Sequence, residues 1–254
     1  MSIASPLVPS SGTRGDGARR GQAVASLIKA ISLDLDDTLW PIEPCIIRAE
    51  AALDEWLREH CPSVAARFSP AAMRAERDRV WQQNPHLTHD LSALRRMSLA
   101  DVFAPFGFGE EFVERAMTAF SAARNRVDFY PETLAALDVL AARYPLASLT
   151  NGNADLDVIG IGRHFRVRIY SRDAGCAKPD RRIFERTATA LGIEPRELLH
   201  VGDDPWMDVE GARGAGCPVV WLDRGTIDWP GELAPPTHRI ESLDTLPGLL
   251  ADWR

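Results

Sequence analysis

Cysteine is scarce: Cys45, Cys61, Cys176 and Cys217 lie far apart, with no C-x-x-C pair. That excludes a disulfide framework and reads as reduced, mostly structural thiols in a reducing compartment. No apolar run reaches the roughly 20 residues a membrane span needs. The apolar stretch from Ala23 to Leu33 follows Arg19 and Arg20, but Lys29 interrupts it, no small-residue cleavage site follows and Asp34 closes it. Neither a membrane anchor nor an export signal is expected, and the reading is a soluble, cytoplasmic protein. Basic residues are outnumbered, 29 against 36, and the net charge of -7 argues against a nucleic-acid binder, which needs surplus Lys and Arg to displace counterions. The six histidines are scattered; even His86 and His89, the nearest pair, read as surface or helix-start residues and not as metal ligands. No internal repeat is present.

What is there suits a folded enzyme. Apolar residues make up 45% and charged residues 26% of 254 positions, ordinary values for a globular chain. Single cores stop growing near roughly 250 to 300 residues, so the length fits one large domain or a core with one inserted module, as a monomer or homodimer. Residues 1–22, with Ser10, Ser11, Gly12, Gly15 and Gly17, read as a disordered tail without chemistry.

Beyond the tail, short apolar runs alternate with helix-length segments. Leu27 to Leu35, Leu146 to Leu149, Val167 to Tyr170, Leu198 to Val201 and Val219 to Leu222 read as strands of a parallel sheet covered on both faces. Pro131-Glu132 opens a helix carrying Leu134, Leu137 and Leu140; Pro179-Asp180 opens another, stopped by Gly192; a third, rich in small residues, is expected from Asp208 to Ala215. The fold class is a doubly wound α/β core. About 110 residues separate the first two strands, far more than one crossover helix requires. An all-helical module is placed at 42–128, leaving 23–41 and 129–254 as the core. Its four helices are marked by Ile46, Leu53, Trp56 and Leu57; by Met73, Val80 and Trp81 after Ser69-Pro70; by Leu87, Leu91 and Leu94; and by Phe112, Val113, Ala116 and Phe120.

The chemistry gathers at strand ends. The first strand runs into Asp34-Leu35-Asp36-Asp37-Thr38, with Asp34 and Asp36 spaced to face one side while Leu33 and Leu35 face the other. The second runs into Thr150-Asn151-Gly152, whose hydroxyl and backbone N–H groups could hold a phosphoryl oxygen. Lys178-Pro179 stands at a loop-to-helix junction, and the strand Leu198 to Val201 leads into Gly202-Asp203-Asp204 and Asp208. Open α/β sheets bind ligands beyond the carboxyl ends of their strands, so all four lie where a site is expected.

In that order the four motifs resemble those of the haloacid dehalogenase superfamily of phosphohydrolases, over nearly everything after residue 27, with the helical module where those enzymes carry an inserted cap. The resemblance implies Asp34 as the nucleophile of an aspartyl-phosphate and Asp36 as general acid and base. It implies Mg²⁺ held by Asp34, the Asp36 carbonyl and Asp203, with Lys178 balancing anionic oxygens. Thr150 and Asn151 would orient the phosphoryl group. Asp208 would anchor Lys178 or a metal-bound water, Asp204 stays ambiguous between a supporting role and an alternative ligand, and Asp37 is a turn residue. The stretches around Asp34, Thr150 and Asp203, with Ile159-Gly160-Ile161-Gly162, look most like bacterial phosphatases of riboflavin-pathway intermediates and FMN. The implied partner is a small phosphorylated metabolite with a ribityl phosphate. Other phosphomonoesters, a phosphomutase, a dehalogenase or an inactive binding module remain as alternatives. In the cap, the aromatics Trp40, Trp81, Phe103, Phe106 and Phe108 are expected in its core, and Arg95 and Arg96 on a solvated helix face.

Overall fold

The computed structural model describes residues 28–252. The expected tail at 1–22, and Leu27 at the start of the expected first strand, lie outside the described residues.

Each strand is short, apolar and bounded by helix signals: β1 (Ala30–Leu33), β2 (Leu146–Thr150), β3 (Phe165–Tyr170), β4 (Leu198–Gly202), β5 (Val219–Leu222) and β6 (Arg239–Ile240). All pair in parallel, in the order β3-β2-β1-β4-β5-β6. Residues along β1, β2, β4 and β5 are buried throughout, because both faces are covered. Alternate residues divide between two hydrophobic clusters: Ile31, Leu33, Leu199, Val201, Val220 and Leu222 on one face, Ala30, Leu198, Val219 and Trp221 on the other. The strand order reverses at β1, which pairs with both β2 and β4, and this reversal opens a crevice at the carboxyl ends of β1 and β4.

Between β1 and β2 run α1 (Ile42–His60), α2 (Pro62–Arg67), α3 (Pro70–Gln83), α4 (Leu91–Phe103) and α5 (Glu110–Arg124), before α6 (Thr133–Ala141) rejoins the sheet. They surround a hydrophobic cluster of their own, containing Leu53, Leu57, Val102, Phe103, Val113 and Phe120; each buried leucine or phenylalanine contributes about 1.5–3 kcal/mol. The Ser69 hydroxyl and the Asp90 carboxylate cap α3 and α4 by accepting backbone N–H groups. The segments entering and leaving this insertion run together. Leu39 O accepts from Tyr130 N at 3.1 Å and from the Thr133 hydroxyl at 3.0 Å. The Trp40 and Phe129 rings meet edge-on at 5.8 Å, and Arg224 donates to Thr38 O and Glu132. After β2 follow α7 (Leu156–Ile159), α8 (Ser171–Ala174), α9 (Arg181–Leu191), α10 (Gly211–Gly214) and α11 (Leu246–Asp252).

Several expectations need correction. Leu134 is 45% exposed, and α6 turns Ala136, Leu137 and Leu140 inward instead. Leu87 lies in a separate turn ahead of α4, which starts only after the Asp90 cap. The helix expected from Asp208 begins earlier, at Pro205, as a wide turn in which Asp204 O accepts from both Asp208 N and Val209 N. Trp81 is 39% exposed and does not belong to the insertion's core, and Trp40 is buried in the sheet's cluster instead. Arg95 is not on a solvated face: its side chain is only 12% exposed. Nor are all the histidines at the surface, since His164 and His200 are buried.

Candidate active site

The backbone of β1 continues one step beyond its last strand residue, with Asp34 N donating to Val201 O at 2.9 Å. The alternation holds there, burying Leu33 and Leu35 beneath the sheet edge and turning Asp34 and Asp36 upward. Asp37 then adopts a left-handed conformation at φ 58°, which aspartate tolerates better than most residues. Its carboxylate accepts from Ile42 N at 3.0 Å, closing the turn into α1. Asp203 arrives at the same level from β4, held by the Thr38 hydroxyl at 3.0 Å, while its own carbonyl accepts from Trp221 Nε1 at 2.7 Å.

Lys178 lies between Asp34 and Asp208. Its Nζ donates to Asp34 Oδ1 and to Asp208 Oδ1, both at 2.5 Å, and it is buried. Burial opposes its charge, but Asp208 and Asp34 outweigh burial and raise its pKa. Asp208 Oδ1 also meets His200 Nε2 at 3.0 Å, and its Oδ2 accepts from Asp204 N at 3.0 Å. Against the cost of burial, Lys178 and His200 lower the Asp208 pKa, so it is a carboxylate and can only accept. Burial lowers the His200 pKa and keeps the ring neutral; Nε2 therefore carries the proton, and Nδ1 accepts from the Ser32 hydroxyl at 2.8 Å. The sheet register puts Ser32 directly opposite His200. Gly202 makes room for this arrangement, since a Cβ there would lie 2.2 Å from Asp208 Cγ.

The remaining expected residues line the same pocket of about 290 Å³, formed by Asp34, Asp36, Thr150, Asn151, Lys178, Asp203, Asp204 and Asp208 with neighbours. The Thr150 hydroxyl accepts from Gly152 N at 2.9 Å. The Asn151 amide is engaged with the Lys178 backbone in both directions, at 2.8 and 3.0 Å, so it fixes where Lys178 stands. Asp204 accepts from Trp206 N and Met207 N and caps the following turn. A larger hollow of about 440 Å³ between α4 and α5 shares no lining residue with this pocket.

Asp34, Asp203 and Asp208 offer oxygens within 4.8 Å of one another, an acidic triad able to hold a cation. Burial pushes the Asp34 pKa up to about 7, with Lys178 pulling the other way. Burial, then the Asp34 charge, pushes Asp203 to about 8. Two carboxyls so reluctant to ionise together call for more positive charge than Lys178 supplies, and an all-oxygen donor set fits a hard cation such as Mg²⁺. Asp208 is the most heavily engaged, accepting from Lys178, His200 and Asp204 N, against Lys178 and Thr38 for Asp34 and Thr38 for Asp203, which leaves Asp34 and Asp203 as the better placed donors.

Residues 28–216 match the haloacid dehalogenase-like hydrolase family. The chain belongs to that family. Among haloacid dehalogenase-like relatives, the 5-amino-6-(5-phospho-D-ribitylamino)uracil phosphatase YigB of Escherichia coli is 30% identical over 229 residues, 86% of this chain and 96% of that protein. A phosphoserine phosphatase of Thermus thermophilus is 32% identical over 241 residues, 82% of this chain and 94% of its own. The crystal structure of a 2-haloacid dehalogenase from Pseudomonas syringae superimposes with a TM-score of 0.83 at 32% identity, over 89% of this chain and 100% of that one. The three are named for different substrates.

Arg124 and His200 were missed in the sequence. Arg124 ends α5, and its Nη2 donates to both oxygens of Asp36, at 2.6 and 2.8 Å, while Trp40 Nε1 donates to Oδ1 at 3.0 Å. It continues the stripe of Val113, Ala116 and Phe120, and a charge on an apolar stripe needs a partner. His200 interrupts an otherwise apolar strand, which is the same kind of signal.

Proposed function

We propose that this chain is a Mg²⁺-dependent phosphomonoester hydrolase acting on a small metabolite, with a ribityl phosphate of riboflavin synthesis or FMN as its substrate. The observation that carries the reaction class is the convergence of Asp34, Asp36, Asp203 and Lys178 on one pocket. Asp34, Asp203 and the Asp36 carbonyl would hold Mg²⁺, which when bound supplies the positive charge a phosphate dianion needs beside three carboxylates.

One Asp34 oxygen attacks phosphorus as the ester P–O bond breaks. Asp36 gives its proton to the departing alkoxide. Water then attacks the aspartyl-phosphate, Asp36 takes the proton back, and phosphate leaves with Asp34 restored. Lys178, held between Asp34 and Asp208, offsets charge on the transferring group. The Thr150 hydroxyl and the backbone at Asn151 and Gly152 orient it. The helices at 42–128 act as a cap over this centre, and Arg124 holds Asp36 from the cap side. A dehalogenase needs the nucleophile but neither the metal nor a second acid, and Asp36 speaks against it.

Support for the substrate comes from the relative YigB, whose activity is on a ribityl phosphate. The test is phosphate release from 5-amino-6-(5-phospho-D-ribitylamino)uracil, FMN, phosphoserine and sugar phosphates, with Mg²⁺ or EDTA. Metal-dependent preference for the ribityl esters is expected. Broad, weak turnover would remove the substrate and keep the reaction; none on any ester would remove both.

A further inference from the structure

A second pocket, of about 220 Å³, lies at the seam between the inserted helices and the sheet. Leu91 lines both this pocket and the carboxylate pocket, and Asn153, from the loop after β2, forms part of its wall. The two hollows are therefore neighbours, and together they fall within the roughly 300–1,000 Å³ of small-molecule sites. The seam is closed by the Asn153 amide donating to Ser92 at 3.1 Å and the Ser171 hydroxyl donating to His89 O at 2.7 Å.

The walls are unusual for a surface hollow. Trp81 presents an indole that is 39% exposed, although its helix has a buried side to offer. Phe120 carries the Arg95 guanidinium over its ring at 3.6 Å. Arg77 and Arg95 share one acceptor, Glu50 Oε1, each at 3.0 Å. Arg77 is also paired with Asp78, its Nε and Nη2 donating to Oδ1 at 3.3 and 3.1 Å, whereas Glu50 takes only one of the five N–H groups of Arg95. Burial lowers the Arg95 pKa, the mark of a charge held away from water. An aromatic face beside planar hydrogen-bond donors suits a flat ring with carbonyl acceptors. It offers little to a short aliphatic chain.

We infer that this pocket binds the leaving group of the ester, and that the leaving group ends in a planar, carbonyl-bearing heterocycle stacked on Trp81 and hydrogen-bonded by Arg77 and Arg95. The inference rests on the phosphatase reading and sharpens it: a phosphoserine-sized substrate would fill the carboxylate pocket and leave this one empty.

The test compares kcat/KM for 5-amino-6-(5-phospho-D-ribitylamino)uracil with that for glycerol 3-phosphate, in wild type, Trp81→Ala and Arg77→Gln. Trp81 is partly exposed, so its loss leaves the fold intact. The ratio is expected to fall about tenfold or more in Trp81→Ala, mostly through KM, as removing a stacking platform usually does. An unchanged ratio in both variants overturns the inference. A second arm titrates the dephosphorylated ribitylaminouracil by calorimetry and needs no turnover. Binding by wild type that weakens in Trp81→Ala upholds the pocket even if neither ester is hydrolysed, in which case only the phosphatase reading fails. No binding by wild type overturns the pocket even where hydrolysis is seen.

Discussion

Arg124 grips both carboxylate oxygens of Asp36 across 88 positions of sequence. The contact joins the last residue of α5 to the loop after β1, so the insertion and the proposed acid-base group are set together. Replacing Arg124 by Met is expected to lower kcat by about 100-fold, the scale of a small misplacement of a reacting group. Arg124→Lys should restore little, because an ammonium is a point charge and does not reproduce a guanidinium fork. Steady-state kinetics with Mg²⁺ decide this; unchanged kcat would mean that Trp40 alone suffices to hold Asp36.

Asp34→Asn should abolish turnover, on the order of 10⁴-fold or more, as loss of a nucleophile does. It also removes a carboxyl that burial already holds near neutrality, so the metal-free variant should melt no lower than the wild type. A markedly lower Tm would show that the ion pair with Lys178 stabilises the fold more than burial of the charge costs.

Metal-free stability should fall between pH 7 and pH 9. In the unfolded chain Asp34 and Asp203 are fully ionised there, whereas in the folded chain their pKa values of about 7 and about 8 keep protons bound. The folded state thus holds more protons, and stability is lost as pH rises through those values. Mg²⁺ should restore more stability at pH 9 than at pH 7, and its binding should release protons. Thermal melts in EDTA and in Mg²⁺ across that range test it; a flat EDTA profile would contradict the raised carboxyls.

His200→Leu should cost about 1–3 kcal/mol, because the Ser32 hydroxyl loses its partner and Asp208 loses one of its donors in a buried site. Urea unfolding gives the stability. If His200 also sets Asp208, and through it Lys178, kcat falls in the folded variant; a stability loss with kcat intact would confine His200 to packing.

The acids were legible because a strand end is a local event: an apolar run that breaks into Asp34 and Asp36, or into Gly202-Asp203-Asp204, reveals itself within a few residues. The parallel core was legible for the same reason, except for β6, whose two residues carry no pattern. What failed depends on distant chain. Arg95 looked solvated because nothing nearby announces Glu50 and Phe120, 45 positions upstream and 25 downstream. The Ser32 and His200 pair exists only through the β1–β4 register. The early start at Pro205 was legible and overlooked: Asp204 as cap followed by proline is a helix-opening signal.

Leu39 and Tyr130 are hydrogen-bonded neighbours although about ninety residues of chain lie between them. A loop whose two ends already touch can grow, shrink or be exchanged for another while asking almost nothing of the sheet, since closing a longer loop costs little more than closing a short one. Heredity can therefore rewrite the insertion as a cassette while the strand-end carboxylates stay fixed. A graft that joins a foreign helical module at residues 40 and 129, and that supplies a guanidinium in the place of Arg124, should yield a folded protein with altered selectivity and an unaltered reaction.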